Sequence, residues 1–222
     1  MAGYADTRAR VESYFDRTAP QVWARLTSDA PVSRIRETVR AGRDEMRALI
    51  LSRLPDDLNG CRILDAGCGT GQMTRELAER GAQVTAVDIS PTLVGIASDR
   101  LPARVRDRVD FRTGDMRDPN LGRFDHVLAM DSLIYYGTRD IAASVDELAT
   151  RTSGRILFTF APKTALLMAM WTAGKLFPRS DRSPRMVPQS AAALDKATAR
   201  SAQVIGRVHR GFYISELMEL QP

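Results

Sequence analysis

The stretch Cys61-Arg62-Ile63-Leu64-Asp65-Ala66-Gly67-Cys68-Gly69-Thr70-Gly71, running on into Gln72-Met73-Thr74-Arg75-Glu76-Leu77-Ala78-Glu79-Arg80, decides the fold. Ile63 and Leu64 end a short apolar strand, three alternate glycines follow, and the residues after them read as a helix. Glycines at such a point let the backbone turn sharply and lie flush against a ligand. Strand, glycine turn and helix in this order form a nucleotide-binding turn.

The spacing narrows the ligand. Dinucleotide sites use G-x-G-x-x-G, whereas here the pattern is Asp65-x-Gly67-x-Gly69-x-Gly71. A carboxylate at the mouth repels a pyrophosphate but suits a ligand carrying an amino group and a positive charge. S-adenosyl-L-methionine, with its sulfonium and α-ammonium, is such a ligand. One helix and one strand later comes Gln83-Val84-Thr85-Ala86-Val87-Asp88, followed by Ile89. Asp88 then lies about where an acid hydrogen-bonds both ribose hydroxyls. Glycines serving packing alone would explain neither acid. The two features together resemble the class I S-adenosylmethionine-dependent methyltransferases. That resemblance implies an α/β, doubly wound, Rossmann-like seven-stranded sheet.

With 222 residues, 44% hydrophobic and 27% charged, the chain is long enough for one well-buried domain plus an appendage. A net charge of +5 and a pI near 9.6 imply attraction to something acidic: nucleic acid, an anionic membrane surface or a carboxylate-bearing substrate. The arginines are spread along the chain without the interleaved aromatics of a base-stacking platform, which argues against nucleic acid. A disulfide between Cys61 and Cys68 would distort the glycine turn, and there is no C-x-x-C or Cys/His metal spacing. Reduced thiols in a cytoplasmic protein are expected. No signal-peptide core opens the sequence, and the longest apolar run, Ala165 to Ala173, is far below the roughly 20 residues of a membrane span.

Residues 1–55 read as a helical lid or appendage and 56–222 as the methyltransferase domain. Val11, Tyr14, Phe15, Trp23 and Leu26 recur at helical intervals, with Pro20 and Pro31 as breaks. Val39, Met46, Leu49, Ile50 and Leu54 make a second stripe, suited to packing under the sheet. From residue 61 strand and helix alternate. Strands are expected near 61–65, 83–88, 109–114, 124–130 and 154–160, and helices near 71–80, 91–101, 140–151 and 189–201. An antiparallel pair, 203–209 with 212–220, turns at Arg210-Gly211 and gives His209 a structural place.

Ligands of such sheets sit at the carboxyl ends of the strands. After the third expected strand, Asp115 can accept from the adenine amino group while Met116 packs on the ring. After the fourth, Asp131 faces the methyl-bearing centre, and Tyr135 with Tyr136 can wall off a substrate pocket. The fifth leads into an insertion, about 161–188, that joins an apolar piece around Leu166 and Trp171 to a basic, proline-punctuated loop. So long a loop is uncommon unless it works. An oily wall with guanidiniums suits a large flat ligand ending in carboxylates.

Here the resemblance narrows. Tyr14-Phe15-Asp16-Arg17-Thr18 with Trp23, Phe158-Thr159-Phe160-Ala161-Pro162-Lys163-Thr164, Gly174-Lys175-Leu176-Phe177-Pro178 and Phe212-Tyr213 resemble the magnesium protoporphyrin IX O-methyltransferase family in its bacteriochlorophyll-pathway form. The match runs along nearly the whole chain. Where oxygenic-photosynthesis members have histidine in a Leu-Ile-His-Tyr setting, this chain reads Leu133-Ile134-Tyr135-Tyr136. The resemblance implies methyl transfer from S-adenosyl-L-methionine to a propionate of magnesium protoporphyrin IX, with the magnesium carried by the porphyrin and no metal held by the protein. It makes Tyr14 and Tyr135 the candidate catalytic residues, enclosing the carboxylate with Leu166 and Trp171, and lets Lys163, Arg179, Arg182 and Arg185 steer the second propionate. The porphyrin's hydrophobicity makes a membrane a suitable work surface, to be touched loosely through Leu166 to Trp171 and the basic loop, and a magnesium chelatase subunit is a further candidate partner.

Overall fold

A computed structural model of the chain describes residues 3–18, 20–28, 30–164, 167–168 and 184–222. Three helices precede the sheet: α1 (Tyr4–Ser13), which runs on through a wider π-type turn over Tyr14–Thr18, α2 (Pro20–Leu26) and α3 (Arg34–Leu51). Pro20 is the first residue of α2, where its fixed φ suits a helix and its missing N–H costs nothing. The alternating part runs β1 (Arg62–Ala66), α4 (Gln72–Glu79), β2 (Gln83–Asp88), α5 (Pro91–Arg100), β3 (Val109–Thr113), β4 (His126–Ala129), α6 (Thr138–Ala149) and β5 (Ile156–Phe160). It closes with α7 (Ala191–Ala197), β6 (Ala202–Arg210) and β7 (Tyr213–Leu220).

Seven strands form one sheet in the order β3-β2-β1-β4-β5-β7-β6. The first five are mutually parallel, and β7 runs antiparallel between β5 and β6. Because side chains alternate along a strand, each central strand feeds two cores. Leu64, Val127, Ile156 and Phe158 meet Ile141, Val145 and Leu148 of α6 on one face. Ile63, Leu128 and Leu157 meet Leu77 of α4 and Met46 and Ile50 of α3 on the other.

Helix α1 reaches the first core through Val11. The stripe of α3 packs under the sheet at the second, where Met46, Ile50, Leu51 and Leu54 share one buried cluster with Ile63 and Leu217. Gly42 makes the approach close: a Cβ there would come 2.5 Å from Cδ1 of Tyr213 on β7. Two helix ends differ from expectation. α6 starts at Thr138, with Gly137 as its cap and Asp140 in the first turn, where a carboxylate favours the positive end of the helix dipole. α7 stops at Ala197 rather than near 201 because side chains take over beyond it: Asp195 accepts from the Ala202 N–H at 2.9 Å and Asp146 from that of Ala199 at 2.9 Å.

Candidate active site

Strand order reverses between β1 and β4, and the loops leaving these strands diverge to open a cleft. Gly67 and Gly69 have φ of 90° and 53°, left-handed values that glycine adopts without strain. A Cβ on Gly67 would strike Ser132 at 2.3 Å, whereas one on Gly69 would meet nothing within 4 Å. Asp65 lies on β1 beneath this turn, only 2% exposed, and lines the cleft floor rather than its mouth. Burial raises its carboxyl to about 6, against the pull of the Thr74 hydroxyl that donates to Oδ2 at 2.5 Å. Asp88 ends β2. Its Oδ2 accepts from the Gly69 N–H and its Oδ1 from the Ser90 N–H, both at 2.9 Å. Burial raises this carboxyl too, offset by those backbone donors.

Ile89 and Met116 line the same cleft beside Asp115. Asp115 Oδ1 accepts from the Tyr4 hydroxyl at 2.8 Å and from the Arg117 N–H at 2.9 Å, and Oδ2 accepts from Arg8 at 2.9 Å. Helix α1 is therefore docked on the cleft, and the Tyr4 ring stacks on Tyr136 at 5.0 Å between centroids. Buried Arg151 fixes the Met116 loop from behind, donating to the carbonyls of Met116 at 2.6 Å and Asp118 at 2.7 Å. The π-type turn is anchored as well: Asp16 Oδ1 accepts from the Thr92 N–H at 3.1 Å.

A second cavity adjoins the first. Ile134, Ala161, Leu167, Pro188 and Ile214 make its wall apolar, and Phe212 and Met186 stand exposed at its edge. Trp23, Arg43, Asp131 and Tyr135 line both cavities. Asp131 has a φ of 56°, a conformation that aspartate tolerates better than most residues. Its N–H donates to Thr159 Oγ1 at 2.7 Å; Oδ1 accepts from the Tyr213 hydroxyl at 3.1 Å, and Oδ2 pairs with Arg43 at 2.5 Å. Burial, with the charge of Asp131 second, pushes the phenols of Tyr135 and Tyr213 well above their ordinary range.

Asp65, Gly67, Gly69, Asp88, Ile89, Asp115, Met116 and Asp131 thus converge on the cleft with Tyr135. Gly71 (φ 81°) instead lets α4 lie against α5, since a Cβ there would come 2.9 Å from that of Ala97. Tyr14 is in neither wall. It packs edge-on against Phe15 at 5.1 Å, and it is Phe15 that faces the cleft. Arg185 lines the second cavity, whereas Lys163 is exposed and in neither wall. Leu166, Trp171, Arg179 and Arg182 lie outside the described residues. Sequence reasoning missed Tyr4, Arg43 and Arg151. Arg43 had a signal: it interrupts the apolar stripe of α3 four residues after Val39 and three before Met46, so it must point toward the core.

S-adenosyl-L-methionine fits the first cavity by its donor set: a buried carboxylate at Asp65 for an ammonium, free lone pairs on Asp88 for hydroxyls, and a buried Ser132 Oγ that has no hydrogen-bond partner. Among the described residues no group of three or more His, Cys, Asp or Glu is set to hold a metal, and no helix is long and apolar enough to cross a membrane.

Comparison with known proteins points the same way. The family model "Magnesium-protoporphyrin IX methyltransferase C-terminus" matches residues 129–222, and a general methyltransferase-domain model matches 63–153. The magnesium-protoporphyrin O-methyltransferase of Rhodobacter capsulatus is 61% identical over 220 residues, 99% of this chain and 98% of that one. Its counterpart from Synechocystis sp. is 30% identical, with 96% of each chain covered. The crystal structure of magnesium protoporphyrin IX methyltransferase from Synechocystis PCC 6803 with bound SAH superposes with a TM-score of 0.83 at 29% identity, covering 98% of this chain and all of that one. This chain belongs to the magnesium-protoporphyrin O-methyltransferase family, on a class I S-adenosylmethionine-dependent methyltransferase fold.

Proposed function

We infer that the protein transfers the methyl group of S-adenosyl-L-methionine to a propionate carboxylate of magnesium protoporphyrin IX, giving the monomethyl ester. One observation carries the reading beyond family membership: the cofactor cleft opens, past four side chains that line both among the described residues, into a neighbouring cavity with an apolar wall. A large flat ligand with its carboxylates at one edge suits that shape and lining.

Asp65, the glycine turn and Asp88 would hold the cofactor, whose sulfonium would supply an electrophilic methyl carbon. The rest falls to the chain. A propionate has a carboxylic pKa near about 4.3, so it is ionised at neutral pH and needs no general base. The buried phenols of Tyr135 and Tyr213 stay protonated and serve as donors, not bases. What remains is alignment and exclusion of water, because a solvated carboxylate is a masked nucleophile. Phe15 lies 5.4 Å from Trp23 and 5.8 Å from Tyr135 between ring centroids, an aromatic wall closing this junction. Arg185, on the second cavity, suits the other propionate. Incubation with S-adenosyl-L-methionine and magnesium protoporphyrin IX should yield, by mass, a porphyrin one methylene heavier. Unchanged porphyrin in the presence of protein that binds the cofactor would refute the reading.

Two partners follow from the chemistry of the porphyrin, which is poorly soluble. We propose that a magnesium chelatase subunit delivers it directly, so co-elution of the two proteins is expected. We also propose a cytoplasmic enzyme that touches the membrane loosely through the exposed Phe212 and Met186 beside Arg185. Each basic residue near an anionic surface adds about 1 kcal/mol. Flotation with anionic vesicles at low salt tests this, and absence of the protein from the vesicle fraction would rule it out.

A further inference from the structure

A carboxylate entering an apolar cavity loses its water, a heavy cost unless a counter-charge meets it. Of the four side chains common to the two cavities, only Arg43 is a cation. Arg47, the other arginine of the cofactor cleft, also has a buried nitrogen without a partner, Nη1, but it pairs with Asp44 and Glu76 and does not reach the second cavity. Arg185 reaches the second cavity but not the cleft.

Arg43 is held on two sides. Its Nη1 donates to Asp131 Oδ2 at 2.5 Å, and its guanidinium carbon lies 5.1 Å from the centroid of the Trp23 ring. Asp131 is itself tied down by the Tyr213 hydroxyl and by Thr159. Yet Nε of Arg43 is buried with no hydrogen-bond partner among the described residues. A guanidinium presents five N–H donors in a planar fork, and a buried donor left unmade is costly. Neutralising Asp131 uses one edge of the fork and leaves that cost unexplained.

We propose that Arg43 binds the propionate that is methylated, with Asp131 and Tyr213 as the positioning residues that set its angle; this rests on the substrate reading above. The pairing is two-sided. Asp131 fixes the guanidinium from one side, and the edge carrying Nε is left to meet the incoming carboxylate in place of its lost water, holding one oxygen while the other stays free to attack. Its oxygen then forms the bond to the methyl carbon as the carbon–sulfur bond breaks. The bonding pair remains on sulfur, the negative and positive charges disappear together, and no proton moves. The ester no longer pairs with the guanidinium, so methylation itself loosens the product.

The test titrates magnesium protoporphyrin IX and its dimethyl ester into the full chain with S-adenosylhomocysteine present, following the porphyrin absorption band. Wild type should prefer the diacid. In Arg43→Gln that preference should fall by about tenfold or more, the scale of a charge-assisted hydrogen bond, while ester affinity stays as it was. Arg43→Lys keeps the ion pair with Asp131 and so the fold, but loses the fork, and should show an intermediate fall. An unchanged preference in either variant, or equal weakening of diacid and ester, would overturn the proposal and leave Arg43 a structural residue. Wild type that bound neither porphyrin would instead refute the substrate reading on which it rests.

Discussion

The hydroxyl of Tyr4 donates to Asp115 Oδ1 at 2.8 Å across 111 residues of sequence, so the first turn of α1 is tied to the loop that follows β3. Arg8 grips the other oxygen of the same carboxylate at 2.9 Å. Asp115 therefore joins α1 to the wall of the cleft. Tyr4→Phe removes one hydrogen bond and should cost about 1 kcal/mol in the docking of α1. Hydrogen exchange should accelerate in residues 4–18 without a comparable drop in global melting temperature. Cofactor and porphyrin together should slow exchange across α1 and α2. Equal protection in free and ternary states would mean that these helices do not close over the ligands.

Asp65 makes stability and cofactor binding respond to pH in opposite senses. Folding raises its carboxyl from an ordinary 3.8 to about 6, so between those values the folded chain holds a proton that the unfolded chain has released. Its contribution to stability is present at low pH and is lost as pH rises from about 4 to about 6, on the order of 3 kcal/mol in all. An ammonium beside it favours the ionised form, so affinity for S-adenosyl-L-methionine should climb as pH rises toward about 6 and then level off. In Asp65→Asn both trends should flatten. Calorimetric titrations at several pH values measure the second, and an unaltered pH profile in the variant would remove Asp65 from this role.

Asp88→Ala should weaken cofactor binding by about 1–3 kcal/mol, the scale for ribose hydroxyls left without a charged acceptor. Gly69→Val should do worse. Its side chain would project into open cleft from a backbone φ of 53°, combining obstruction with strain. Calorimetry on folded protein checks both, and normal affinity in either variant would exclude that position.

Gly42→Ala looks harmless in sequence but should not be. The added methyl would press on Tyr213 at 2.5 Å, and the hydroxyl of that ring reaches Asp131. Overpacking of this kind costs about 1–3 kcal/mol. Thermal unfolding should move down accordingly, with turnover reduced more than cofactor affinity. An unshifted melting temperature would mean that α3 simply backs away from β7.

The sheet was legible because its signals are local. The glycine turn, Asp88 and the apolar runs of β1, β2 and β5 each announce themselves within a few residues. The junction of the cavities was only half legible: Asp131 and Tyr135 follow a strand end, whereas Arg43 and Tyr213 arrive from α3 and β7, far away in sequence. Tyr4 carried no signal at all, since its partner Asp115 is 111 residues distant. Periodicity showed that α3 has an apolar face to bury, and the stripe from Val39 to Leu54 does pack under the sheet, against Ile63 and Leu217.

Gln189 has a bearing on how this family can diversify. Its backbone N–H donates to Ala161 O at 2.8 Å and its carbonyl accepts from the Lys163 N–H at 2.9 Å, so both ends of the segment from 164 to 188 are closed at one point. The same side chain, 3% exposed, bonds the Tyr136 carbonyl and the Thr138 hydroxyl. A segment whose ends are already joined can be lengthened or exchanged with little strain on the sheet, because the entropy of closing a loop grows only slowly with its length. The join at Gln189 thus shields the strands that carry the cofactor cleft from changes in sequence or length between Thr164 and Pro188.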